Sequence, residues 1–172
     1  MDKEEQIRFS RMTKKSIKDF NQIEAQGWIL NITVQIEDLV DDILMEYFQP
    51  NDRGIFGNVV LNSSIMHFGG KLKVLKSIGI DAETYSNLQK IGSIRNAFAH
   101  TNISHSMTMT FNPEIDTGAK VIDVINVMNS NGEIRSKDPY SYMVEFLGLY
   151  KQVEPVLKKT YGNIMESLRK TD

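Results

Sequence analysis

The sequence predicts a mainly α fold, a helical bundle with a small antiparallel β-ribbon inserted before a long C-terminal helix. Three observations carry that reading. Apolar residues recur at intervals of three and four over most of the chain. Between about residues 107 and 136 that period gives way to β-branched and large apolar residues in imperfect alternation. From Asp138 the helical spacing resumes and holds to Leu168. At 172 residues, 41% of them hydrophobic and 24% charged, the chain suits one domain, residues 1–172, with a substantial core.

The elements follow in order. Lys3 to Gln26 carries Ile7, Met12, Phe20 and Ile23 among many charges, a loose helical pattern. Its cations from Arg8 to Lys18 form either a solvated face or an anion-binding patch. After Gly27, the residues Ile29, Ile32, Ile36, Leu39, Ile43 and Tyr47 predict a core-facing helix from Trp28 to Phe48. Its other face is acidic, with Glu37, Asp38, Asp41, Asp42 and Glu46. Gln49-Pro50-Asn51-Asp52-Arg53-Gly54 reads as a turn, and the stretch to Val60 as irregular. Asn62 or Ser63 is placed to cap a helix with Ile65, Phe68, Leu72, Leu75 and Ile78 on one stripe, ending at Gly79. Asp81 caps the next helix, with Ile80 and Tyr85 as a hydrophobic staple, and Leu88, Ile91, Ile94 and Phe98 as its inner face.

Strands are expected over Met107 to Phe111 and Lys120 to Met128, with Ser130-Asn131-Gly132 turning the chain into a third over Glu133 to Ser136. Asp138-Pro139 then opens the last helix, with Met143, Phe146, Tyr150, Val153, Leu157, Tyr161, Ile164 and Leu168 as its stripe. Pro155 is expected to kink it. Its tyrosines, at helical spacings, read as core or interface residues.

Composition excludes several function classes. The net charge of −2 gives no global positive field to gather nucleic acid or anionic lipid. The absence of cysteine removes disulfides, thiolate metal sites and cysteine nucleophiles. The opening MDKEEQIRFS is charged where a signal peptide needs an apolar stretch, and WILNITVQI is too short to span a bilayer. A cytoplasmic protein without membrane contact is the expectation. Neither a cofactor nor a metal is expected: His67 and His105 lack a close ligand partner, and the acidic helix face reads as solvated surface.

The end of the third core helix is the unusual part. Residues 93 to 104 read SIRNAFAHTNIS. On a wheel of about 100° per residue with Leu88 at zero, Phe98 and Ile91 fall at about 280° and 300° and Arg95 at about 340°. An arginine beside the apolar stripe needs a partner, because an unpaired buried guanidinium costs several kcal/mol. Either Glu37 or Asp41 of the acidic helix pairs with it, or the stripe opens there onto a cleft or another protein. Gly92 and Ala99, at about 40° and 20°, leave room for a close neighbour. Asn96 and His100 follow at about 80° and 120°.

Arg95-Asn96-Ala97-Phe98-Ala99-His100, an arginine, a polar residue and a histidine five positions on, resembles the signature of the HEPN superfamily of helical-bundle proteins. The wording of residues 94–100 and the order of the two preceding helices look most like the branch of mannitol-operon-regulator-like proteins. The resemblance covers roughly residues 28 to 104. It implies a homodimer whose two motifs share a cleft, and metal-independent endoribonuclease activity of the kind found in toxins and defence or stress systems. RNA would be the substrate, and an antitoxin or a regulatory protein the partner. On that reading Arg95 presents a cationic fork to the phosphate, where charge grows in the transition state. His100 moves a proton to or from the ribose or the leaving oxygen. Asn96 orients the imidazole or the ribose, and the product carries a 2′,3′-cyclic phosphate. The regulator-like branch implies the alternative, a non-enzymatic regulator or protein-interaction module. A purely structural role stays open too, with Arg95 paired to Glu37 and with Asn96 and His100 capping the helix.

Overall fold

The computed structural model describes residues 20–100, 104–109, 119–128 and 133–170. The charged N-terminal stretch up to residue 19 and the Ser130-Asn131-Gly132 turn lie outside the described residues.

Helix α1 (Gln22–Phe48) begins six residues before the expected start. Gly27 does not break it, because a stronger signal lies upstream: Asn21 Oδ1 accepts the Glu24 N–H at 3.1 Å. Ala25, fully buried, anchors the added turn. Ile29, Ile32, Ile36, Val40, Ile43 and Leu44 form the buried stripe, while Tyr47 at its end is exposed. Gln49, at φ 44, takes the left-handed conformation and donates its N–H to the Met45 carbonyl. A single turn, α2 (Arg53–Ile55), then runs into a π-helical turn at Phe56–Val60. Arg53 of α2 closes an ion pair on Glu46.

Helix α3 (Phe68–Ser77) starts later than expected. Asn62 does bond locally, accepting the Ser64 N–H at 2.9 Å, but it closes a turn and not a helix. Ile65 is consequently exposed. Gly79 has φ +110, which only glycine adopts without strain, and it reverses the chain into α4 (Ala82–His100). Asp81 caps that helix, accepting from the Thr84 N–H at 2.8 Å and the Thr84 hydroxyl at 2.7 Å. Ile80 and Tyr85 are both half-buried against the core, in keeping with the expected staple.

Three strands form one antiparallel sheet: β1 (Ser104–Met109), β2 (Ala119–Met128) and β3 (Ile134–Lys137), in the order β1-β2-β3. The first half of β2 pairs with β1, from Ser104↔Val124 to Met109↔Ala119. Its second half pairs with β3, from Ile125↔Lys137 to Met128↔Ile134. The expected ribbon is therefore present, but β1 begins three residues before Met107 and takes in His105. Val124 and Ile125 carry the sheet into the core.

Helix α5 (Pro139–Arg169) opens as expected, with Asp138 Oδ2 accepting the Ser141 N–H at 2.8 Å and proline in the first turn. It continues through Pro155 as one helix. Helices α1, α4 and α5 pack on one another, and α3 lies against α1 and α4. Phe146, Tyr150, Val153 and Leu157 of α5 meet the α1 stripe in a single core, and Tyr140, Tyr142 and Tyr161 pack at its edge. No described helix is long and apolar enough to cross a membrane.

Candidate functional site

Arg95 sits toward one side of the buried arc of α4. Asn87, Ile94 and Ala97 are buried along with Leu88, Ile91 and Phe98. Those three fall at about 260°, 240° and 180° on the same wheel, so the inner face is centred near 280° and not 310°. Arg95 is left at its margin, half-buried, with Asn96 and His100 exposed. Burial of Asn87 is compensated by its bond to Gln152 of α5, Nδ2 to Oε1 at 3.0 Å. The ring of Phe98 stacks with Tyr142 at 6.3 Å, holding the end of α4 against α5.

At that margin the molecule has a cleft of about 380 Å³. Thr33 and Glu37 of α1 form one wall, and Gln89, Gly92, Ser93, Arg95 and Asn96 of α4 form another. The start of α3, from His67 to Gly69, with Leu72, completes it. Gly92 makes this packing possible. A Cβ there would come 3.3 Å from Cδ1 of Phe68, so the close neighbour that the small residues permit is an aromatic ring of the same chain.

Arg95 Nη1 donates to Asn96 Oδ1 at 3.0 Å, its one direct hydrogen bond among the described residues. The expected ion pair with Glu37 or Asp41 does not form. Asp41 is instead held by Lys71, Nζ to Oδ2 at 2.7 Å, and Lys71 is 3% exposed. An ammonium so far from water needs that carboxylate more than a half-buried guanidinium does. Lys71 stands on the inner side of α3 with Leu72 and Leu75. Glu37 faces the cleft with Arg95 near enough to act on it electrostatically but without a hydrogen bond between them. Burial pushes the Glu37 carboxyl above its ordinary range, more strongly than Arg95 and Lys71 draw it down. Burial likewise raises Asp41, against the pull of Lys71.

The structure thus brings Arg95, Asn96 and Glu37 to one cleft and gives Asp41 to Lys71. His100 is the last residue of α4, exposed, and is not among the residues lining the cleft. His67 is there instead. It precedes the first turn of α3 with extended backbone (φ −60, ψ 158) and its side chain makes no capping bond. Gln89, donating to the Tyr85 hydroxyl at 3.2 Å, and Ser93, donating to the Gln89 carbonyl at 3.0 Å, add polar atoms to the α4 wall. Their spacing of four from each other placed them on one face, but that face had no visible partner in the sequence. Among the described residues, no group of three histidines or carboxylates is arranged to hold a metal ion.

The arrangement can bind an anion. Arg95 has five N–H donors, and among the described residues one of them is engaged, with Asn96. Gln89, Ser93, Asn96 and His67 supply neutral or titratable polar atoms around it. Comparison of the chain with protein-family models, curated proteins and solved structures finds no match.

Proposed function

We propose that this chain is a HEPN-type, metal-independent endoribonuclease of a toxin, defence or stress system, acting as a homodimer. The observation that carries the reading is the state of Arg95. It opens onto a cleft, is hydrogen-bonded to Asn96, and among the described residues has no carboxylate in direct contact. A half-buried arginine that lines a cleft can meet an anion there. A fork in this state suits the non-bridging oxygens of a phosphodiester.

In the proposed reaction the ribose 2′-hydroxyl attacks the adjacent phosphorus and the 5′-oxygen of the next nucleotide leaves. Arg95 stabilises the charge that grows on the phosphoryl oxygens. Asn96 fixes the guanidinium by the observed hydrogen bond. His100, at the exposed end of α4, is the base that takes the 2′-hydroxyl proton, and a second copy packed at the helix ends brings the two motifs together. The test is cleavage of single-stranded RNA by purified protein in the presence of a chelator. Cyclic 2′,3′-phosphate ends, DNA left intact, and loss of cleavage in His100→Ala with folding retained are the expected results. No cleavage of any RNA, or full activity in His100→Ala, would contradict them.

One observation favours the alternative, a non-enzymatic regulator or interaction module. Tyr47, Phe48, Ile55 and Val59 are about half exposed at the end of α1 and in the two turns after it, with Phe48 against both Tyr47 and Phe56. An apolar group of this kind suits a protein partner such as an antitoxin or regulator. An inactive wild type that binds a partner protein through these residues would favour that reading.

A further inference from the structure

We propose that His67 is a second proton-transfer group of the Arg95 cleft, donating a proton to the departing 5′-oxygen. The inference rests on the ribonuclease reading and adds a residue that lies outside the Arg95–His100 motif.

Cleavage by a 2′-hydroxyl needs two proton transfers. As the bond from the 2′-oxygen to phosphorus forms, the hydroxyl proton passes to a base. As the bond from phosphorus to the 5′-oxygen breaks, that oxygen takes a proton from an acid. The products are a 2′,3′-cyclic phosphate and a 5′-hydroxyl end, with no oxidant or other reactant required. Arg95 can fill neither role, because a guanidinium does not give up its proton. The motif brings one imidazole, His100, and it stands outside the lining of the cleft. Entering and leaving oxygens lie on opposite sides of the phosphorus in an in-line displacement, so acid and base must approach from different directions. His67, at the start of α3, lines the cleft from a different element than the motif helix α4.

The local structure leaves the His67 ring available. Its side chain caps nothing, so its nitrogens are not committed to the helix. The ring lies beside Gly69, where an added Cβ would be in ordinary contact with it, 3.5 Å from Cδ2 and 3.6 Å from Nε2. The charged groups that face the cleft with it are Glu37 from α1 and Arg95 from α4, while Lys71, on its own helix, is engaged by Asp41. The donor role falls to His67 because it lines the cleft that Arg95 faces, while His100 at the end of α4 takes the base role; Glu37, whose carboxyl burial raises, shares that cleft.

The experiment compares the full chain with His67→Ala and His67→Gln on two RNAs in the presence of a chelator. One RNA is ordinary, and the other carries sulfur in place of the scissile 5′-oxygen, giving a thiolate leaving group that needs no acid. Both variants are expected to lose about 100-fold or more in kcat on ordinary RNA, with KM within about threefold of wild type. They should melt as the wild type does and recover most of the lost rate on the sulfur-containing RNA. Unchanged kcat on ordinary RNA would overturn the role of His67 alone. Equal slowing on both RNAs would overturn its role as donor. A wild type that cleaves neither RNA would overturn this inference together with the ribonuclease reading.

Discussion

Lys71 is 3% exposed and Asp41, its partner at 2.7 Å, is 29% exposed, so the two sides of this ion pair are not equivalent. Removing the carboxylate strands an ammonium away from water. Removing the lysine leaves a carboxylate that water still reaches. Asp41→Ala is therefore expected to destabilise by about 2–4 kcal/mol, near the range for breaking a buried pair. Lys71→Met, which keeps the packing of the stem, should cost clearly less in the same chemical denaturation series, and equal losses would contradict the asymmetry. Arg95 belongs at the other end of the scale. With no ion pair to break among the described residues, Arg95→Ala should change stability by less than about 1 kcal/mol, the size expected for a side chain at a margin. Glu37 has a sign that can be checked by pH. Its folded-state carboxyl is raised by burial, so its ionised form is disfavoured in the fold and the protonated form favoured. Its contribution to stability is present in full below the unfolded carboxylate range and is lost as pH rises through the raised value. Glu37→Gln should accordingly raise the melting temperature at neutral pH, and the gain should vanish on acidification. A gain that persists in acid would mean that the carboxylate is not the source. The sequence marked Arg95 and Glu37 as neighbours, but it could not rank them against Lys71, because only the packing of α3 on α1 decides which cation is buried.

The helices depend on a few end signals, and these are where sequence and structure agree best. Asp81 and Asp138 cap as their positions suggest, since a side-chain oxygen three residues before an N–H is a local geometry that needs no tertiary contact. Asp138→Ala should cost about 1 kcal/mol, read as a shift in the denaturation midpoint. Gly79 carries a stronger demand. At φ +110 any other side chain is strained, so Gly79→Ala should destabilise by at least about 1 kcal/mol, and a neutral result would show that the turn between α3 and α4 can rearrange. Local signals fail where two of them compete. Asn62 is as good a capping residue as Asp81, yet it closes a turn, and the helix begins at Phe68 with no side-chain cap from His67. Gly27 looked like a boundary, yet Asn21 had already started α1 upstream. The strands were legible as a change of period, but the start of β1 was not. Ser104 and His105 carry little strand preference, and their place is set by pairing with Val124 and Asp123 of β2.

At the scale of the whole molecule, the helical stripes of α1, α4 and α5 were enough to predict the bundle, because each buries one face against the others. The cleft was not legible, since it is assembled from three elements and depends on Phe68 lying against Gly92. Of its lining, Arg95 and Asn96 stand out in the sequence and His67 does not. The proposed composite site also requires two copies. Sedimentation at tens of micromolar should give a dimer, and a monomer that still cleaves RNA would show that one cleft suffices. The central claim is that Arg95 is held ready for phosphate and not for the fold. It is tested most directly by measuring RNA cleavage by Arg95→Ala beside the wild type, with a chelator present and the melting curve of each protein recorded. The account predicts that the wild type releases cyclic phosphate ends and that Arg95→Ala is slower by about 100-fold or more while melting as the wild type does. Equal cleavage by the two proteins, or an Arg95→Ala protein that fails to fold, would contradict it.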